Sequence, residues 1–233
     1  MTIISQQQKN EKGQVVHNKY SIGSNDYEEW YEYNSSGTMV HLKCSNGFET
    51  WYDSDENGRI THKKSSDGSE TWYDDDSGDL IHRKDPDGYE EWYDAMGVTT
   101  RIKFSDGTIQ GYDGSKVNHL QYANGNEYKF DEMGNLIYRK RVVDGREYEY
   151  NAEGNTTYEK DSSGSERRYD GAGNMIYIKY PSGKEYWWEY DDFGVMIYCK
   201  DSNGYERWYT YDYDYEAGEI TNHKTHTTNP YLK

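Results

Sequence analysis

The sequence has little of what an aliphatic core or a disulfide-linked domain requires. It has 3 Pro, 2 Cys and 4 Phe in 233 residues, and only 33% of its residues are hydrophobic. Two cysteines, Cys44 and Cys199, do not make a disulfide framework, so we expect free thiols. No apolar run is long enough to cross a bilayer, and residues 1–10 lack the basic flank of a leader. These absences exclude a wide aliphatic core and favour a soluble, cytoplasmic protein.

Aromatic and acidic residues are abundant instead. The chain has 27 Tyr and 7 Trp, and 43 Asp plus Glu against 26 Lys plus Arg give a net charge of −17. Disordered polar chains are usually poor in aromatic residues. The composition therefore predicts an ordered protein in spite of its polarity.

Two series of glycines mark an internal repeat. Turn dipeptides such as Asn-Gly and Asp-Gly place the first series at positions 47, 68, 88, 107, 125, 145, 164, 183 and 204. The second series lies between them, at positions 37, 58, 78, 97, 114, 134, 154, 173, 194 and 218. The short, aromatic-rich runs that separate the glycines suit strands better than helices. Each repeat thus predicts one β-hairpin.

We predict an all-β fold in which about ten tandem hairpin repeats of 18–21 residues form an elongated or spiralled antiparallel sheet. Residues 1–23 would be an N-terminal lead-in, residues 24–220 the repeat domain and residues 221–233 a polar C-terminal tail. We expect His223 and His226, which fall in that tail, to lie in unstructured chain.

Two aromatic columns follow from aligning the repeats. Five residues after each first-series glycine stands an aromatic that we expect in a continuous buried spine: Tyr52, Tyr73, Tyr93, Tyr112, Phe130, Tyr150, Tyr169, Trp188 and Tyr209, preceded by Tyr31. The position before it holds Trp30, Trp51, Trp72, Trp92, Trp187 and Trp208, which strand alternation places on the opposite face. A stripe of Trp30, Trp51, Trp72 and Trp92 either curls inward as a core or meets a partner.

A ladder of opposite charges accompanies the aromatic columns. Glutamates recur two residues after the first-series glycines, and lysines recur four or five residues before them. A three-residue turn ending in a left-handed glycine, as in Ser45-Asn46-Gly47, would place Lys43 directly opposite Glu49. Such pairs contribute about 0.2 to 1 kcal/mol each and help to fix the register.

Two fragments resemble the YD signature of the RHS (YD-repeat) family. They are Phe-Asp-Glu-Met-Gly-Asn-Leu at 130–136 and Tyr-Asp-Gly-Ala-Gly-Asn-Met at 169–175. The resemblance covers about residues 24–220 and implies a strip of β-hairpins that can spiral, as in RHS shells around a toxin domain. The repeats resemble more loosely those of MORN-like repeat antitoxins. The chain has no room for a toxin or a self-cleaving core, so the fold is implied and the activity is not.

Three histidines share one position of the repeat. His41, His62 and His82 each lie four residues after a second-series glycine. Equivalent positions are two strands apart, about 9 to 10 Å, which is too far for two imidazoles to bind one zinc ion. We expect a stacked structural column, and neither a metal nor a cofactor.

Acidic residues cluster at the second-series turns. The three aspartates at 74–76 have counterparts in Asp53, Asp55 and Glu56. The negative charge either keeps an aromatic sheet soluble or forms an edge that occupies a basic groove. The candidate partner-binding residues are Trp30, Trp51, Trp72, Trp92, Asp74, Asp75, Asp76, Asp53, Asp55 and Glu56.

The least regular repeat spans residues 104–130. Ile109 replaces the ladder glutamate and Gly111 replaces the tryptophan. The segment predicts a bend or a dedicated contact, and both interpretations predict an interruption of the charge ladder.

No residue set resembles a catalytic site, because each candidate acid has copies in neighbouring repeats. We therefore predict a non-enzymatic module that binds a protein, in its concrete form an acidic inhibitor of the anti-defence type, encoded by a phage, or of the immunity type. Its partner would be a basic nucleic-acid-binding effector, whereas direct nucleic-acid or membrane binding is not expected. The alternatives are a structural or surface RHS-like repeat fragment that self-assembles as a homo-oligomer, and a carbohydrate-active enzyme.

Overall fold

Left-handed glycines close the hairpins of this chain. The computed structural model describes residues 4–22, 25–214, 216 and 218–230. Every glycine of both predicted series has a positive φ, as does Gly13. L-residues with a side chain disfavour this conformation, so glycine is the residue that lets the chain reverse there. The repeat predicted from glycine spacing is confirmed.

The described residues form strands and turns and contain no helix, and thus none that could span a membrane. Each strand is four to nine residues long and pairs antiparallel with its sequence neighbours inside its unit. The predicted all-β fold of tandem hairpins is confirmed.

The chain divides into two units, Met1–Lys116 and Val117–Lys233. The strands of unit 1 are β1 (Ile4–Lys9), β2 (Val15–Ile22), β3 (Asn25–Tyr33), β4 (Met39–Cys44), β5 (Glu49–Ser54), β6 (Ile60–Ser65), β7 (Glu70–Tyr73), β8 (Leu80–Lys84), β9 (Glu90–Tyr93), β10 (Thr99–Lys103) and β11 (Ile109–Asp113). Residues 1–23, predicted as a lead-in, thus contain the β1–β2 hairpin, and β2 pairs with β3 from His17 to Ile22.

Unit 2 repeats the pattern. Its strands are β12 (Lys116–Gln121), which begins at the last residue of unit 1, β13 (Glu127–Phe130), β14 (Leu136–Arg141), β15 (Arg146–Tyr150), β16 (Thr156–Lys160), β17 (Glu166–Tyr169), β18 (Met175–Lys179), β19 (Glu185–Tyr190), β20 (Met196–Asp201), β21 (Glu206–Asp214) and β22 (Glu219–His226). The expectation that His223 and His226 lie in unstructured chain is wrong. They belong to β22, because β21 is long enough for His226 to pair with Trp208.

The charge ladder has the predicted register. The Cys44–Phe48 pair closes a three-residue turn, with Cys44 N donating to Phe48 O over 2.8 Å. Lys43 then faces Glu49, and Lys43 Nζ lies 3.0 Å from Glu49 Oε1. The ladder is interrupted in the irregular repeat, as predicted, because Lys103 faces Ile109 there.

Few side chains are fully buried. Ile178 is the one fully buried apolar residue among those described, and Thr50, Ser65 and Ser165 are the buried polar ones. The predicted buried spine from Tyr31 to Tyr209 is wrong in its burial, since its rings are half-buried. Both cysteines, Cys44 and Cys199, are free.

Candidate binding face

An Asp or Asn side chain caps nine of the hairpin turns of the second series. In the YD fragment at 130–136, Asp131 Oδ1 accepts hydrogen bonds from the backbone N–H groups of Met133 and Asn135, at 2.9 and 2.8 Å. Gly134 N donates to Asp131 O over 2.9 Å. These bonds favour the carboxylate, and hydrogen bonds from Asn135 lower the pKa of Asp131. The aspartate of the signature is therefore a turn cap.

The acidic cluster at 74–76 divides between two roles. Asp74 is the cap, since its Oδ1 accepts from Ser77 N over 2.8 Å, and backbone hydrogen bonding by Ser77 lowers the pKa of Asp74. The carbonyl groups of Asp75 and Asp76 both accept from the Arg59 guanidinium of the neighbouring turn. The side chains of Asp75 and Asp76 are exposed.

The counterpart at 53–56 has the same division. Asp55 is the cap and accepts from Arg59 N over 2.7 Å. Asp53 lies in β5 two residues after Trp51, and its Oδ2 is 3.0 Å from His62 Nδ1. Glu56 is exposed in the turn. Asp74 and Asp55 thus serve the fold, whereas Asp53, Glu56, Asp75 and Asp76 have carboxylates that no turn requires.

Histidine, lysine and glutamate form a repeated triad on one side of the sheet of unit 1, which we call the ladder face. His41 Nε2 lies 3.2 Å from Glu49 Oε2, while Lys43 binds the other carboxylate oxygen. Hydrogen bonding from Lys43 lowers the pKa of Glu49. His62 and His82 stand in the same relation to Glu70 and Glu90, at 3.3 and 3.2 Å. The described residues contain no group of three or more His, Cys, Asp or Glu arranged for a metal ion.

Tryptophans alternate with these histidines along the ladder face. His62, Trp72, His82 and Trp92 stack in order, with ring centroids 4.8, 4.3 and 4.5 Å apart. The Arg101 guanidinium continues the stack 4.7 Å above Trp92. Trp51 stacks on His41 at 5.2 Å, and Trp30 stacks on His17 at 5.2 Å. The predicted stripe of tryptophans is therefore a mixed His–Trp column, and the predicted stacked histidines stack on indoles.

The hairpins of the second series differ in width, and two widths recur. In a narrow hairpin the turn cap lies two residues after the tryptophan of the His–Trp column, as Asp74 follows Trp72. In a wide hairpin it lies four residues after, as Asp55 follows Trp51. The narrow register pairs Trp72 with His82. The wide register pairs Trp51 with Lys64 and adds a rung in which Asp53 faces His62.

In unit 1 the exposed indoles lie in the wide hairpins. Trp72 and Trp92 have neighbours over both ring faces and are half-buried. Trp30 and Trp51, in the wide hairpins β3–β4 and β5–β6, are 38% and 42% exposed. Within the described part of the chain, no second ring or cation stacks on either of them. Of the four predicted tryptophans, two thus offer a surface to a partner.

The sequence did not lead us to predict the added pair of Asp53 with His62 or the contact of Glu32 with His41. Glu32 follows Trp30 by two residues, as Asp53 follows Trp51, and lies 3.5 Å from His41 Nδ1. The signal was present in the spacing from tryptophan to glycine, because Trp30 and Trp51 stand seven residues before Gly37 and Gly58, whereas Trp92 stands five residues before Gly97.

Comparisons with known proteins identify fold likenesses only. No protein-family model matches the chain, and no curated protein does. A Tc holotoxin pore from Photorhabdus luminescens is 15% identical over 89% of this chain, with a TM-score of 0.34. The TcdB2-TccC3-TEV structure is 15% identical over 96% of this chain, also with a TM-score of 0.34. A mutant TCP10 domain of Danio rerio CPAP is 18% identical over 78% of this chain and 97% of its own length, with a TM-score of 0.32.

The chain spans 14% of the length of the Tc toxin chains it matches. TM-scores this low carry no argument about this chain, and its description as a hairpin repeat rests on its own strands, turns and register.

Proposed function

We propose that this chain is a non-catalytic repeat module that binds a protein through the ladder face of unit 1. In its concrete form it is a cytoplasmic acidic inhibitor, of the anti-defence or immunity type, that covers the basic surface of a nucleic-acid-binding effector. The observation that carries the proposal is the placement of exposed indoles beside exposed carboxylates on one face. Trp30 and Trp51 are accompanied by Glu32 and Asp53, whose side chains are 70% and 77% exposed.

Charge distribution supports a basic partner. Residues 51–100 contain 14 Asp and Glu against five Lys and Arg. The lysines of the ladder are matched by glutamates, as Lys43 is by Glu49, so they offer little to phosphate groups. The carboxylates of Asp75, Asp76 and Glu56 add to the field at the turn edge. A field of this kind accelerates association with a cationic surface and weakens with salt.

The proposed role requires no catalysis and no cofactor. The carboxylates of Asp55, Asp74 and Asp131 are engaged by backbone N–H groups of their own turns. The glutamates of the ladder face recur from repeat to repeat in the same triad. Neither set offers the singular pair of acids that an acid–base mechanism needs.

Affinity capture from a host lysate, with and without nuclease, tests the proposed function. We expect a basic nucleic-acid-binding protein, displaced by added DNA or RNA, whose association rate falls as salt rises. The matched variants are Trp30→Ala with Trp51→Ala, which should lose the partner, and Tyr122→Ala, an exposed aromatic of unit 2, which should keep it. The proposal is contradicted if the Trp30, Trp51 variant still captures the partner. It is also contradicted if the wild-type chain captures only copies of itself.

A second candidate function is self-assembly. Among the described strands, β1 pairs only with β2, and β22 pairs only with β21. Each therefore presents a free row of backbone groups, which is a template for strand addition. Light scattering across a concentration series tests this candidate. A mass that rises with concentration, and that falls when proline replaces Gln7 in β1, supports a self-assembling repeat fragment, whereas a constant monomer mass contradicts it.

A further inference from the structure

Three wide hairpins of the described chain share one set of four side chains. Each has a tryptophan facing a lysine and, on the next rung of the same face, an acid facing a histidine or tyrosine. The sets are Trp30, Lys43, Glu32 and His41 in β3–β4; Trp51, Lys64, Asp53 and His62 in β5–β6; and Trp187, Lys200, Glu189 and Tyr198 in β19–β20. We call each set a quartet. Narrow hairpins have no such acid, because their turn cap occupies its position.

The quartet of unit 2 is occupied by a cation of the chain itself. Lys200 Nζ lies 4.8 Å from the centroid of the Trp187 ring, in cation–π geometry. The lysines of the two unit 1 quartets are held elsewhere. Lys43 binds Glu49 at 3.0 Å, and Lys64 lies 3.7 Å from Glu70, both across the neighbouring hairpin. The indole face that Lys200 covers in the quartet of unit 2 is thus left uncovered by the lysines of the two unit 1 quartets.

We propose that the quartets at Trp30 and Trp51 each receive an arginine side chain of the protein partner. The guanidinium would stack on the uncovered indole face and donate hydrogen bonds to Glu32 or Asp53. This inference rests on the proposed function and specifies which side chains of a basic partner are bound.

Arginine fits the quartet better than lysine does. A guanidinium is planar and weakly hydrated, so it can lie flat on an indole and reach a carboxylate with two N–H groups at once. The charge is also complementary, because the nearest cation of each quartet is already matched by a ladder glutamate. An uncharged planar group of the same shape would stack on the indole but would bring no positive charge to the acid, whose partner within the quartet is a histidine.

The two quartets set a spacing for the partner. Trp30 and Trp51 lie on strands β3 and β5, two strands apart in the sheet. Neighbouring strands are about 4.8 Å apart, and Trp51 faces His41 and Glu32, two residues or about 6.8 Å further along the strand than Trp30, so the two sites are separated by roughly 12 Å. Residues seven apart on an α-helix rise by about 10.5 Å along one side, and the long arginine side chains can cover the remaining difference. A helix with two arginines at that spacing can therefore fill both quartets.

The test uses a synthetic alanine-based helical peptide with two arginines seven residues apart, titrated into the full chain by calorimetry. Control peptides replace both arginines with citrulline, which keeps the shape and removes the charge, or move them to two residues apart, on different sides of the helix. The variant carries Glu32→Gln with Asp53→Asn, and its matched control carries Asp75→Asn with Asp76→Asn, the same change of charge outside the quartets. Thermal melts establish that both variants fold.

We expect the arginine peptide to bind at least tenfold more tightly than either control peptide. The Glu32→Gln, Asp53→Asn variant should lose tenfold or more, and the Asp75→Asn, Asp76→Asn variant less than twofold. Equal binding of the citrulline peptide, or equal losses in both variants, overturns the inference. If the quartet variant does not fold, removing residues 53 and 54 deletes one acid rung while keeping a turn, and the same tenfold loss is required.

Failure of this inference is distinguishable from failure of the proposed function. If a basic partner is captured from lysate and lost in the Trp30, Trp51 variant but not in the Glu32, Asp53 variant, the ladder face binds without arginine quartets. If the arginine peptide binds as expected and no basic partner is captured, arginine binding by the quartets is supported and the inhibitor role is contradicted.

Discussion

The neighbouring hairpins β5–β6 and β7–β8 differ by one rung and behave as different surfaces. Both contain Glu-Thr-Trp-Tyr-Asp, at 49–53 and at 70–74. In β7–β8 the aspartate caps the turn and His82 stacks on Trp72. In β5–β6 the cap moves to Asp55, Asp53 becomes a strand residue and Trp51 loses its second ring neighbour. Between these two hairpins, the choice of capping residue therefore separates an indole that supports the sheet from one that is open to a partner.

The largest expected difference between these hairpins is in stability. Replacing Trp72 with Ala removes a ring that stacks on two histidines and should cost about 2 to 3 kcal/mol of unfolding free energy. Replacing Trp51, which stacks on one histidine and is 42% exposed, should cost about 1 kcal/mol. Urea unfolding of both variants measures the difference. Equal losses would show that stacking on a second ring contributes nothing.

A deletion can convert the wide hairpin into a narrow one. Removing residues 53 and 54 leaves Trp-Tyr-Asp directly before the turn, so that Asp55 takes the place that Asp74 has in β7–β8. We expect Trp51 to pair with His62 in place of Lys64 and to become less accessible, seen as weaker acrylamide quenching of its fluorescence. The six other tryptophans would be replaced by Phe in the wild-type and deleted chains alike. Unchanged quenching would mean that the cap position does not set the register.

The smallest expected effect is a pH dependence confined to the narrow stack. Burial lowers the pKa of His82, although Glu90 and Glu70 favour its charged form and Lys84 opposes it. The folded-state pKa is then below the unfolded value of about 6.5, so the unfolded chain binds the proton more readily and stability falls as pH drops through this window. The variant His82→Tyr should lack this component in urea unfolding at about pH 7.5 and 5.5. A wild type and variant that lose stability equally would locate the dependence elsewhere.

Tyrosine is the natural choice for that variant because unit 2 has it at the equivalent position. Tyr177 and Tyr198 face Trp187 and Trp208, as His62 and His82 face Trp72 and Trp92. Burial raises the pKa of Tyr198, which therefore stays neutral where histidine titrates. The arrangement thus occurs with histidine in unit 1 and with tyrosine at Tyr177 and Tyr198 of unit 2.

The sequence predicted the features that depend on short-range rules. Glycine spacing gave the hairpins, and a three-residue turn gave the Lys43–Glu49 register, because both follow from local backbone geometry. The capping residue at 53–55 was missed because Asp53 and Asp55 are chemically alike, and only the distance to Gly58 distinguishes the cap from the strand residue. The burial of the tyrosines was overestimated because alternation assigns a residue to a face and does not establish what covers that face.

A wide hairpin differs from a narrow one by two residues before the turn, and this length affects how such a chain can diversify. Side chains alternate between faces with a period of two, so inserting one residue before a turn would turn the strand over, whereas inserting two preserves every face. Three of the described hairpins carry such a two-residue extension, and the first-series register beside them is unchanged, as Lys43 opposite Glu49 and Lys64 opposite Glu70 demonstrate. An in-frame gain or loss of six nucleotides is therefore a sufficient genetic step to add or remove one recognition position, leaving the neighbouring hairpins as they were.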